Sequence, residues 1–169
     1  PYETVYIINL TGTEAKKMLE LTRSTAKTVF ETSVSCIGAS TCQVGVRDSQ
    51  ALLRACVEAV REAKIPDGAL PQIHISGCPS SCGTHQVGEM GFRGAIKNKQ
   101  PAYMFYLSGC DRQGEEKMGA ELGTILETEI PRFLVELGQT VAASGKDYFA
   151  WKAENPDGVE RIAAPYLAE

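Results

Sequence analysis

Gln72-Ile73-His74-Ile75-Ser76-Gly77-Cys78-Pro79-Ser80-Ser81-Cys82-Gly83 is a short apolar run that breaks into a loop of Gly, Pro, Ser and two cysteines. Its β-branched residues read as a strand, and Gly77 and Pro79 end it. The strand thus delivers Cys78 and Cys82 on a loop with C-x3-C spacing. Upstream, Thr28-Val29-Phe30-Glu31-Thr32-Ser33-Val34 reads as another strand, leading into Cys36-Ile37-Gly38-Ala39-Ser40-Thr41-Cys42, a C-x5-C loop. A helix expected from Arg47 to Lys64, capped by Asp48 or Ser49 and stopped by Pro66-Asp67-Gly68, separates the two loops.

Four thiolates offered by two loops form the donor set of an iron–sulfur cube, one sulfur per iron. Three rivals bear on that reading. Ordinary core packing suits Cys56, which lies on the apolar stripe of the Arg47–Lys64 helix, and Cys110, which follows the strand Tyr103–Leu107 and a glycine. Cysteines in Gly/Pro/Ser loops have little apolar surface to pack against. Disulfides suit small secreted domains, whereas 169 residues with 43% hydrophobic content can build a core that buries about two-thirds of the chain's surface. Pro1-Tyr2-Glu3-Thr4 carries no secretory pattern, so a reducing, cytoplasmic setting is expected. Zinc sites favour knuckles with two to four intervening residues, which admits C-x3-C but not C-x5-C. Ferredoxin spacings do not match either. Spacing alone leaves cluster and zinc open and favours the cluster.

The string from Ile73 to Gly94, with Gly77-Cys78-Pro79, Cys82-Gly83, His85 and then Gly91-Phe92-Arg93-Gly94, resembles the C-terminal half of the sirohaem- and [4Fe–4S]-containing nitrite/sulfite reductase family. The resemblance runs from the opening residues to Asp147-Tyr148-Phe149. It implies that Cys36, Cys42, Cys78 and Cys82 ligate a [4Fe–4S] cluster, and that the Cys82 sulfur also bridges to the sirohaem iron. A shared thiolate would give electrons a through-bond route between the two groups. The family usually has Asn at Ser80, and Thr and Asn at Ile37 and Ala39. A hydroxyl there cannot copy the paired donor and acceptor of an amide.

Family members are pseudo-symmetric and hold sirohaem between two halves, with the substrate-binding cations in the N-terminal half. The resemblance therefore implies a C-terminal fragment or separately made domain, with no catalytic residue of its own and no activity alone. Its expected partners are the complementary N-terminal half and an electron donor such as ferredoxin. The expected fold is α+β, a mixed sheet with flanking helices, one half of that architecture. Residues 1–35 would form a strand–helix–strand lead, 36–145 the cluster and sirohaem domain, and 146–169 a tail packed on it. As an oxidoreductase part, the chain would pass electrons from cube through Cys82 to sirohaem, for reduction of sulfite to sulfide or nitrite to ammonia. The alternative is a stand-alone [4Fe–4S] electron-transfer or redox-sensing module.

Outside the loops, Thr4–Leu10 reads as a strand and Glu14 to Arg23 as a helix capped by Thr13. Glu89–Ile96 and Ala102–Leu107 read as neighbouring strands joined by Lys97-Asn98-Lys99-Gln100-Pro101. Glu129–Ala143 reads as an amphipathic helix with Pro131 in its first turn, and Val159–Leu167 as a short helix limited by Pro165. No apolar stretch is long enough to span a bilayer. A net charge of −4 argues against a nucleic-acid groove. Arg93, Lys97, Lys99 and Arg112 form a basic group after the second loop, either a solvated strand face or neighbours of a polyanionic cofactor. His74 should face away from Ile73 and Ile75, and His85, three residues beyond Cys82, lies within reach of the cluster; lone histidines of this kind are more often structural than ligands.

Overall fold

Alternation along the strand at residues 73–76 organises the molecule: Ile73 and Ile75 join the hydrophobic core, while His74 and Ser76 bond to the loop that follows. The computed structural model describes residues 7–23 and 26–168. Its sheet has five strands in the order β1 (Val34–Ser35), β2 (Ile73–Ser76), β3 (Met90–Lys97), β4 (Gln100–Leu107) and β5 (Ala120–Leu126). β1, β2 and β3 run parallel, and β4 and β5 continue antiparallel. This is the expected mixed sheet with flanking helices.

Two helices cover the Ile73/Ile75 face. Helix α2 (Ser49–Glu62) buries Leu52, Cys56 and Val60 at four-residue steps, and helix α3 (Ile130–Ala143) buries Ile130, Phe133, Leu134, Leu137 and Val141. Phe92 stacks on Phe105 at 5.1 Å, and Phe105 meets Phe133 edge-on at 5.4 Å. Each such ring contributes about 1.5–3 kcal/mol by burial. Helices α4 (Tyr148–Glu154) and α5 (Gly158–Ala163) complete the same core through Tyr148, Trp151, Val159 and Ala163.

The connection between the parallel strands β2 and β3 covers the other face without a helix. Its backbone presses onto the sheet: a Cβ on Gly91 would lie 1.8 Å from the His85 carbonyl oxygen.

Several local expectations change. Of the strand expected at Thr4–Leu10, residues 4–6 lie outside the described ones. Ile7–Leu10 form no strand, with Asn9 at φ 61° and Ile7 and Ile8 exposed. The following helix, α1 (Gly12–Leu21), is capped by Thr11 rather than Thr13. The Thr11 side chain accepts from Glu14 N–H, and Glu14 accepts in return from Thr11 N–H, a reciprocal box that settles the start. The strand expected at Thr28–Val34 shrinks to Val34–Ser35, preceded by a 3-10 turn at Phe30–Thr32. Ser33 causes the break by donating its hydroxyl to the Phe30 carbonyl while accepting from Ile73 N–H.

The β3–β4 connection tightens from five residues to two. Asn98 and Lys99 sit at φ 51° and 63°, as a type I′ hairpin turn requires, and Pro101 pairs with Ile96 inside the ladder. Strand β5 and helix α4 were not anticipated. Gly123, at φ 148°, and an extra residue opposite Phe105/Tyr106 bulge the strand, which hides its period.

Candidate metal centre at the two cysteine loops

Parallel pairing of Val34 with His74 and Ser35 with Ile75 brings the carboxyl ends of β1 and β2 together, so the two cysteine loops leave the sheet side by side. Cys36 N–H donates to Ile75 O at 3.0 Å, and Gly77 N–H donates to Cys36 Sγ at 3.2 Å. Val46 and Arg47 N–H then converge on Gly77 O at 3.0 and 2.9 Å. Gly77 is required by this closeness, since a Cβ would stand 2.5 Å from the Arg47 carbonyl oxygen. Gly38, at φ 73°, turns the first loop so that Cys42 N–H reaches Gly38 O at 2.8 Å. The second loop closes through Thr84 N–H to Ser81 O at 2.7 Å and Gly83 N–H to the buried Ser76 hydroxyl at 3.1 Å.

All six cysteines are free thiols. Cys78 is buried, Cys36 and Cys42 are half-buried, and Cys82 is exposed. The fold brings the loops into contact but does not gather the sulfurs. Among the described residues, no three Cys, His, Asp or Glu side chains approach closely enough to hold a metal ion. The donor set nevertheless suits a four-thiolate centre. Two paired loops share one backbone seam, and an amide already points at one sulfur, the kind of hydrogen bond that tunes metal-bound thiolates. Cys56 is of another kind: it is fully buried on α2, and burial pushes its thiol pKa up.

Both histidines are buried. His74 lies on the face opposite Ile73 and Ile75, as expected, with Nδ1 2.9 Å from Thr84 Oγ1. His85 packs against Tyr106 at 4.8 Å, 3.4 Å from Ser81 Oγ. Burial, with help from the nearby Arg93 charge, lowers its pKa to about 4. The expected basic group does not form. Arg93 lies over Tyr106, 4.0 Å from Glu121, whereas Lys97 and Lys99 sit at the hairpin tip and Arg112 pairs with Glu115 past the other end of β4.

Two features escaped the sequence. Ser49, fully buried, places Oγ 2.8 Å from Cys36 O and 3.1 Å from Cys36 Sγ. At the far end of β2 and β3, a cavity of about 750 Å³ is lined by His74, Gly88, Ser108, Cys110 and Lys117, among others. Beside it Lys152 bonds Glu89 and, at 2.7 Å, Ser108 Oγ, while Tyr148 donates to Glu89 at 2.8 Å. Partners 13 to 63 residues apart leave no sequence signal.

No family model matches the chain. A sulfite reductase [NADPH] hemoprotein beta-component from Bacillus licheniformis is 27% identical over 152 residues, covering 79% of this chain and 26% of that protein. A ferredoxin–nitrite reductase from Leptolyngbya laminosa is 32% identical over 100 residues, covering 58% of this chain and 19% of that one. The chain is thus similar in sequence to sulfite and nitrite reductases. It spans about a fifth to a quarter of these relatives' length. Its fold agrees with the Mycobacterium tuberculosis NirA protein at a TM-score of 0.57, with 15% identity, over 76% of this chain and 26% of that structure. Among the described residues, no helix of the chain is long and apolar enough to cross a membrane.

Proposed function

We propose that the chain is the cluster-binding C-terminal domain of a sirohaem-dependent nitrite or sulfite reductase, with Cys36, Cys42, Cys78 and Cys82 as cluster ligands and Cys82 as the bridge to sirohaem. When bound, the two groups would supply electron storage and a substrate-holding iron for reducing sulfite to sulfide or nitrite to ammonia. The observation that carries the reading is the seam between the loops, Gly77 N–H on Cys36 Sγ and Gly77 O under two amides. This seam supports one shared centre over two separate thiol pairs. The exposure of Cys82 suits a sulfur that must also reach a second group. The complementary N-terminal half and a ferredoxin-like donor are the partners this reading requires, in a cytoplasmic setting.

Anaerobic reconstitution with iron and sulfide tests it. The chain should gain about four irons with a broad brown absorption, as one sulfur per iron demands. Alanine at Cys36, Cys42, Cys78 or Cys82 should abolish or cripple that gain, and Cys56→Ala should leave it. Equal iron in Cys78→Ala and the parent would overturn the assignment. Sirohaem bands appearing only when the N-terminal half is supplied would support the reductase reading. A cube that never acquires them would instead support a stand-alone electron-transfer module.

A further inference from the structure

Ser49 is the first residue of α2 and has no solvent contact. Its hydroxyl addresses Cys36 twice, at the carbonyl oxygen (2.8 Å) and at Sγ (3.1 Å). A serine hydroxyl has one proton to give and two lone pairs to accept with. While Cys36 is a thiol, the arrangement closes without conflict: S–H donates to Ser49 Oγ, and Ser49 O–H donates to the Cys36 carbonyl.

Once the sulfur is a thiolate it can only accept. The 3.1 Å contact then persists as a hydrogen bond only if Ser49 turns its proton from the carbonyl to the sulfur. A charged acceptor wins that competition, because hydrogen bonds to ionised groups are roughly twice as strong as neutral ones. No solvent reaches Ser49 to substitute for it. Gly77 N–H, at 3.2 Å, is the second donor on the same sulfur. Among the described residues the loop cysteines are unequal in this respect: the contact made by Cys82 Sγ is with an acceptor, Ser80 O, at 3.9 Å.

We propose that Ser49 is a positioning residue that holds the Cys36 thiolate and raises the reduction potential of the cluster it ligates. The inference rests on the cluster reading above. Reduction places one electron, taken from a poised mediator, on the cluster. No bond forms or breaks, and the Ser49 proton stays on Oγ. The added negative charge is spread onto the ligand sulfurs, so a donor aimed at Cys36 stabilises the reduced state more than the oxidised one.

The test is a mediated redox titration of reconstituted parent, Ser49→Ala and Ser49→Thr, with iron content measured on each, together with pulsed EPR of the reduced samples in H2O and D2O. Ser49→Ala should keep its iron but shift the reduced-to-oxidised ratio at fixed potential about tenfold towards oxidised, ~59 mV for one electron. It should also lose an exchangeable deuteron coupled to the cluster in the parent. Ser49→Thr, which keeps the hydroxyl, should keep the parent's midpoint and its deuteron. An unchanged midpoint in an iron-replete Ser49→Ala, or a parent with no coupled deuteron, would overturn the inference while leaving the cluster reading intact. A parent that takes up no iron would remove both. If Ser49→Ala holds no iron, Ser49→Thr decides: a parent-like midpoint supports the role, and a tenfold shift with the hydroxyl retained overturns it.

Discussion

Gly77 holds the two cysteine loops together by being small. Its carbonyl receives two amides and its own amide reaches Cys36 Sγ, leaving the Arg47 carbonyl 2.5 Å from where a Cβ would be. Backbone on both sides cannot yield as a flexible side chain does. Gly77→Ala should therefore cost about 1–3 kcal/mol, the range for overpacking, and lower iron uptake; urea unfolding and iron analysis check the two effects. The buried His85 makes a different prediction. Its pKa of about 4 in the fold lies below the ordinary value near 6.5. Between those two values the unfolded chain binds a proton that the folded chain does not, so stability falls as pH drops from about 6.5 towards 4 and levels off below. His74, also lowered by burial, acts in the same sense. Urea midpoints at pH 7 and 5 should converge in His85→Gln relative to the parent. An unchanged difference would remove His85 as the cause.

At the scale of elements, the sequence disclosed those with one dominant local signal. The stripe Leu52, Cys56, Val60 and the cap Asp48, which accepts from Ala51 N–H at 3.0 Å, placed α2 to within two residues at each end. Elements governed by competing signals were misjudged. Ser33 and Thr28 bond the backbone locally and convert most of an apparent strand into a 3-10 turn. At the hairpin, strands pair to the last residue and force Asn98 and Lys99 into left-handed conformations. A non-glycine residue there carries strain of about 1 kcal/mol, so Lys99→Gly should raise stability by about that much. A shifted denaturation midpoint at constant slope would show it.

For the whole molecule, helices on one sheet face and an irregular crossover on the other leave the cysteine loops at one end. Arg47, which follows the first loop, is committed to Glu127 at 2.7 Å, whereas Arg93, over Tyr106 and 4.0 Å from Glu121, keeps a buried Nε without a hydrogen-bond partner. An oxyanion substrate needs uncommitted, preorganised cations where its charge develops. A single such arginine is not a set of this kind, so the 169-residue chain alone should not turn over sulfite or nitrite with a reduced dye, even when loaded with iron. Measurable turnover would refute this.

The sequence by itself determined the two cysteine loops, the helix between them, the strand that delivers the second, and the resemblance those residues carry. Each of these is written in short-range patterns: spacing, periodicity, caps and breakers. Only the tertiary structure decided that Ser49 touches Cys36, that Gly77 seals one loop to the other, that His85 is buried against Tyr106, and that the basic residues disperse. These depend on which strands pair in parallel and which faces are covered. Such long-range choices are made by the burial of the whole core, and a local pattern carries no record of them.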